Sequence, residues 1–210
     1  MSSTIPIKRR RGRPPKDQAA FSQTKADLIR SGMEVLTEKG YSATGIDEIL
    51  RRVGVPKGSF YHYFKNKDAF GAELIENYAN FFAHKLDKSL GDQSLSPLQR
   101  LIAFIDQATE RMAEYQFKRG CLVGNLGQEM GALPEAFRKQ LIEVFESWQQ
   151  RLERCLKEAK KAGEISPKTD CKTAAYLFWT GWEGAVLRAK LERRPTALQC
   201  YAQFFINSLK

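Results

Sequence analysis

With 210 residues and a 42% apolar fraction, the chain can bury a sizeable core in one or two domains, while no apolar run approaches the roughly 20 residues of a membrane span. Its four cysteines, Cys121, Cys155, Cys171 and Cys200, stand far apart with no C-x-x-C pair, which argues against a zinc site or a disulfide framework and for reduced thiols in a cytoplasm. The formal charge of +10 is unevenly placed, since residues 1–70 hold 14 Lys and Arg against 7 Asp and Glu, and charge of that sign attracts phosphates.

Residues 1–20 read as a disordered basic arm, without the apolar stretch of a secretory signal. Its Arg11-Gly12-Arg13-Pro14 core resembles the AT-hook, whose arginines enter narrow AT-rich minor grooves, so Arg11 and Arg13 are candidate DNA contacts. A first helix is predicted from Ser22 or Thr24 to Lys39, striped by Ala26, Ile29, Met33 and Leu36 and stopped by Gly40. After a short link through Thr44, Ile46, Ile49 and Leu50 recur at helical spacing, and Val53-Gly54-Val55 supplies an apolar corner. Pro56, which has no amide hydrogen to lose, suits the start of the next helix. That helix turns Lys57, Gly58, Ser59, Tyr61 and His62 outward and Phe60, Tyr63 and Phe64 inward. A helix-turn-helix of this kind fits its second helix into a DNA major groove.

The remainder predicts helices throughout. One long helix runs from Lys67 to about Leu90, capped by Asn66, with Phe70, Leu74, Tyr78, Phe81, Phe82 and Leu86 on its buried side. Further helices follow Ser96-Pro97, form a shorter element over Gly120 to Gly131, and start at Pro134, the last of these ending at Gly163. Ala174–Leu191 and Leu198–Leu209 complete an all-α chain. Three units follow: an arm over 1–20, a helix-turn-helix domain over 21–66, and a helical ligand-binding and dimerisation domain over 67–210. The final two helices are expected to make the dimer contact through Gly181, Gly184 and Ala185 and through Leu198, Tyr201, Phe205 and Leu209.

Gly40-Tyr41, Thr44 and the run from Val55 to Lys67, VPKGSFYHYFKNK, closely resemble the signature of the TetR family of bacterial transcription regulators. The resemblance implies a three-helix DNA-binding domain, an all-helical effector domain and a homodimer on a palindromic operator. It also implies that Thr44, Lys57 and Ser59 reach bases or flanking phosphates, that Tyr61 and His62 contact phosphates, and that Lys67 sits beside the DNA backbone. Gly58 permits close approach. The segments Arg119–Gly131 and Trp182-Glu183-Gly184-Ala185 are similar to the acrylate-responsive branch of that family, and less closely to members that sense electrophiles through a cysteine at the position of Cys121.

On a helix, Cys121, Asn125, Gln128 and Glu129 are spaced i, i+4, i+7 and i+8 and share one face. That face is expected to meet a pocket lined by Trp148, Phe178, Trp179 and Trp182, for which ordinary core packing is the competing reading. Arg119 nearby is expected to lower the thiol's pKa. Two sensing modes stay open: reversible binding of acrylate or its coenzyme A thioester, or covalent modification of Cys121. Neither a cofactor nor a metal is expected, and with only His62 and His84 present no Cys–His nucleophile pair forms, so the chain does not read as an enzyme. A DNA architectural protein is the alternative class.

Overall fold

The computed structural model describes residues 18–210, and every regular element among them is helical. The N-terminal helices are α1 (Gln18–Lys39), α2 (Ile46–Val53) and α3 (Lys57–Tyr63). α4 (Lys67–Leu90), α5 (Pro97–Glu114), α6 (Leu122–Gln128) and α7 (Glu135–Lys161) follow, then α8 (Cys171–Glu192) and α9 (Thr196–Ser208). Among the described residues no helix is long and apolar enough to cross a membrane. Arg11 and Arg13 lie outside the described residues.

Local chemistry sets most boundaries. Asn66 accepts a hydrogen bond from the Ala69 amide at 2.7 Å and starts α4, while Ser96 and Gln99 form a capping box with Pro97 in the first turn of α5. Gly54 closes α2 in the left-handed conformation at φ 72°, and the Val55 amide returns to the Leu50 carbonyl at 3.0 Å. α1 begins about one turn before the expected start. Phe21 stacks on Tyr63 at 4.4 Å and the Thr24 hydroxyl bonds the Ala20 carbonyl at 2.9 Å, so tertiary packing helps hold this early turn.

Leu28, Ile49, Leu50, Phe60, Phe64, Phe70 and Leu74 close the core of the N-terminal domain, and α4 leads from it into the larger domain. There α7 packs along α8 and against α4 and α5, and α9 lies on α8. Phe82, Phe104, Trp148 and Trp179 form an aromatic cluster, with Trp148 and Trp179 only 4.9 Å apart. Burial of such side chains contributes about 1.5–3 kcal/mol each.

Two expectations about faces are corrected. Phe81 fits the apolar stripe of α4, yet it is 61% exposed. Most of the residues expected at a dimer contact instead finish the protomer: Leu198, Phe205, Leu209 and Ala185 are buried, and the face left open by Gly181 is filled by the Tyr201 ring, while Gly184 is exposed. Tyr201 is pinned there because its hydroxyl donates to the Leu177 and Phe178 carbonyls at 2.8 and 3.0 Å. The apolar side chains left exposed on these two helices are Tyr176, Leu177, Leu187, Leu191 and Phe204.

Candidate DNA interface and effector cavity

In the N-terminal domain, Phe60 is fully buried and packs with Phe64 against Phe70, their ring centroids 5.4 and 4.6 Å from it. That anchorage fixes which side of α3 faces out. Lys57, Gly58, Tyr61 and His62 are exposed and Ser59 is half-buried. A side chain at Gly58 would meet nothing within 4 Å, so packing inside the chain does not demand glycine there. Lys57 Nζ lies 3.0 Å from Asp47 Oδ2 in an exposed pair. Thr44 and Lys67 are placed differently. Thr44 is buried and its hydroxyl donates to the Gly40 carbonyl at 2.6 Å. Lys67 Nζ donates to the Tyr41 carbonyl at 3.0 Å and sits 4.4 Å from the Tyr41 ring centroid, with burial holding its pKa below the usual lysine value. In the free chain both residues build the α1–α2 link.

A cavity of about 510 Å³ lies between the two domains. α1 contributes Arg30, Met33, Glu34 and Thr37; α4 contributes Tyr78, Phe81, Phe82 and Lys85. Arg111 and Met112 of α5, the loop from Tyr115 to Cys121, and Trp182, Glu183 and Val186 of α8 close it. Phe81 owes its exposure to a place on this rim. The loop turns sharply because Gln116 and Phe117 both take positive φ, 53° and 54°, a left-handed pair that costs on the order of 1–3 kcal/mol per residue.

The chemistry of the cavity is divided. Arg119 is drawn to Glu34 at 3.3 Å and stacks 4.1 Å from the Tyr115 ring, so it is engaged away from Cys121. Burial, and then the nearby Arg111, hold the Lys85 ammonium below its usual pKa. Cys121 is the N-cap of α6, where its sulfur accepts from the Gly124 amide at 3.5 Å and from the Tyr78 hydroxyl at 3.8 Å. Burial first, and then the charge of Glu183, push its thiol well above the usual range, the reverse of the shift expected from Arg119. Burial also raises Glu183 to about 7.

Of the residues expected to face a ligand, the structure brings Cys121 and Trp182 to the cavity. α6 spans seven residues, with Cys121 and Glu129 at its two caps, so the eight-residue face does not form. Asn125 turns to α1, its amide donating to the Leu36 and Thr37 carbonyls at 2.9 and 3.0 Å. The Glu129 carboxylate accepts from the Tyr41 and Ser42 amides at 3.0 and 2.7 Å, and Gln128 is exposed. Trp148, Phe178 and Trp179 are buried behind the cavity wall in the aromatic core. Sequence reasoning placed Tyr78 only on a buried helix face and Glu183 only within the family resemblance, and it passed over Lys85 and Arg111. For Glu183 a signal was available, a carboxylate amid the apolar Phe178–Val186 stretch.

Residues 97–205 match the family model described as "Tetracyclin repressor-like, C-terminal domain", and residues 28–74 match "Bacterial regulatory proteins, tetR family". The chain belongs to the TetR family. It is 54% identical to the transcriptional regulator AcuR of Cereibacter sphaeroides over 202 residues, covering 96% of this chain and 92% of that one. The Escherichia coli transcriptional repressor NemR is 26% identical over 81% of this chain and 85% of its own. A crystal structure of a TetR regulatory protein from Rhodobacter sphaeroides superposes with a TM-score of 0.85 at 55% identity, covering 89% of this chain and 97% of that one. TetR-family proteins are transcriptional regulators and not enzymes; they bind DNA operators, form dimers and bind small-molecule effectors.

Proposed function

We propose that the chain is a repressor that holds a palindromic operator as a homodimer in the cytoplasm and leaves it when a small acyl compound, acrylate or its coenzyme A thioester, enters the cavity. In this reading residues 21–66 engage DNA and residues 67–210 sense and dimerise. The observation that carries it is the position of α1: Arg30, Met33, Glu34 and Thr37 of the DNA-binding end form one wall of the cavity. An occupant therefore touches both domains at once. The volume, about 510 Å³, lies in the usual range for ligand sites and leaves room for more than a three-carbon acid, which favours a larger acyl conjugate. Phe82, Met112 and Trp182 suit an acyl chain, and Lys85 and Arg111 suit an anionic group. Similarity to AcuR at 54% identity supports the same choice in light of the acrylate-responsive resemblance.

The effector acts by binding one domain arrangement more tightly than the other, since equal affinity for both shifts nothing. Thermal shift and operator fluorescence anisotropy with acrylate, acyl-coenzyme A esters and saturated acids test this directly. The expected result is a raised melting temperature and weakened operator binding with the unsaturated compounds. No response from any of them overturns the effector assignment. Footprinting separates a regulator, with one short palindromic site, from an architectural protein with broad coverage.

A covalent reading is favoured by one observation, the presence of the Cys121 thiol on the cavity wall. Cys121→Ser protein that still releases the operator assigns reversible sensing. Loss of release with retained operator binding assigns the covalent mode.

A further inference from the structure

Gly124 marks an unusual meeting point. A side chain there would collide with Glu183 Oε2 and stand 3.7 Å from Cys121 Cβ, so the bare α-carbon lets the carboxyl group of α8 reach the thiol at the start of α6. The Gly124 amide and the Tyr78 hydroxyl both donate to the sulfur, which leaves the thiol's own hydrogen to point at an acceptor. The acceptor in place is the Glu183 carboxyl, whose Oε2 stands beside the Gly124 α-carbon next to Cys121 on the same cavity wall. We infer that Glu183 is the base that takes the thiol proton when Cys121 adds to an α,β-unsaturated acyl compound in the cavity. The inference rests on the covalent reading of the site.

The chemistry follows from the placement. Neither burial nor the neighbouring carboxyl favours a resting thiolate, and the charged groups elsewhere on the wall do not supply one: Arg119 is held by Glu34 and Arg111 by Glu114, while Arg30 lies near Asp27 and Lys85 faces Arg111. A thiol in this state reacts only if its proton leaves as the bond forms. In the step, the S–H bond breaks and its proton passes to Glu183. The sulfur electron pair forms an S–C bond to the β-carbon, and the alkene pair moves to give an enolate. The enolate α-carbon then takes the proton back from Glu183. The net change is addition of S–H across C=C, with no oxidant or reductant. The two donors on sulfur help carry the charge that develops there. An uncharged acceptor such as an amide or thioester accepts the thiol more readily than acrylate itself, whose carboxylate is electron-rich and faces a second carboxyl.

The full-length protein is alkylated with acrylamide over about pH 6 to 9 and Cys121 modification is timed by peptide mass spectrometry, which separates it from the exposed Cys200. Glu183→Gln is expected to react about 100-fold more slowly near neutral pH and to lose the limb of the pH profile set by the carboxyl. Glu183→Asp, which keeps a base at a longer reach, is expected to recover part of the rate. If Glu183 acted only as a charge that opposes the thiolate, Glu183→Gln would react faster; a faster or unchanged rate overturns the inference. So does wild-type protein whose Cys121 resists acrylamide throughout. Operator binding by the alkylated protein is measured separately: alkylation at the full rate without operator release removes the covalent-sensing reading and leaves the role of Glu183 standing.

Discussion

In the proposed operator complex Lys57 would meet DNA with its charge only loosely committed. Its pair with Asp47 is exposed at both ends, 70% and 61%, and pairs of that kind contribute about 0–1 kcal/mol. A guanine contact is worth about 1–3 kcal/mol, so the operator wins the competition. Lys57→Ala is accordingly expected to weaken operator binding by about 1–3 kcal/mol and to reduce the salt slope by about one if the contact is to phosphate. Asp47→Asn frees the lysine and removes a negative charge from the same surface. Its affinity should rise at low salt, by less than about 1 kcal/mol, and the gain should fade as salt is added. A loss of affinity in Asp47→Asn would place α3 in the wrong orientation. Glu183 carries a separate, pH-dependent signature. Burial raises it from 4.5 to about 7, so the folded chain keeps a proton that the unfolded chain releases. Stability therefore falls as pH rises between these values, by on the order of 3 kcal/mol at most, and the penalty is constant above them. Glu183→Gln has no such ionisation. Thermal melts should show it matching the wild type near pH 4.5 and exceeding it at pH 8; a gap that narrows with rising pH contradicts the assignment.

At the scale of elements, α6 is short but joins the cavity to the α1–α2 turn. Its first cap is on the cavity and its second, Glu129, holds the α1–α2 turn through two backbone amides. Gly40 is required at that turn twice over, since its φ is 83° and any side chain would strike the Glu129 carboxylate. The Gly120 amide and Asn125 amide add bonds to the last carbonyls of α1, and Lys190 reaches the Glu38 carbonyl at 3.2 Å. Hydrogen bonds to a charged group contribute about 1.5–3 kcal/mol, so Glu129→Ala is expected to cost about 1–3 kcal/mol in stability. It should also loosen coupling: the ratio of effector affinities measured with and without operator should move toward one, because that ratio is the coupling itself. An unchanged ratio excludes the clasp as the route. The uneven legibility of the sequence has the same origin. α2, the turn at Gly54 and α3 were legible because their determinants lie within about twenty residues of one another, and the long helices announced themselves by Asn66, Ser96 and Pro134. α6 was misread because spacing alone does not show where so short a helix stops. The cavity was illegible for a further reason: Arg30, Lys85, Arg111 and Glu183 come from four separate helices, and no period in the chain relates them.

The whole molecule leaves an apolar surface that the protomer does not cover. Tyr176, Leu187 and Leu191 fall on one stripe of α8, spaced by eleven and four residues, with exposed Gly184 between them; Phe204 of α9 is exposed as well. Leu191 is 74% and Phe204 70% exposed, and single surface side chains of this size become informative when they cluster. TetR-family proteins form dimers, and a two-fold dimer brings one patch against its own copy. A charge placed in such a patch meets the same charge across the axis. Phe204→Lys, alone and with Leu191→Lys, is therefore expected to sediment as a monomer at micromolar concentration. Operator affinity should fall by more than about 100-fold, because the second half-site is no longer held at the effective concentration that dimerisation provides. Effector binding should persist, since the cavity is built within one protomer by α1, α4, α5 and α8. Ile142→Lys serves as the comparison: Ile142 is 51% exposed but belongs to α7 rather than to α8 or α9, and its variant should remain dimeric. If the Phe204 and Leu191 variants stay dimeric while Ile142→Lys dissociates, the two-fold axis runs past α7, and the separation of the two recognition helices follows from that face instead.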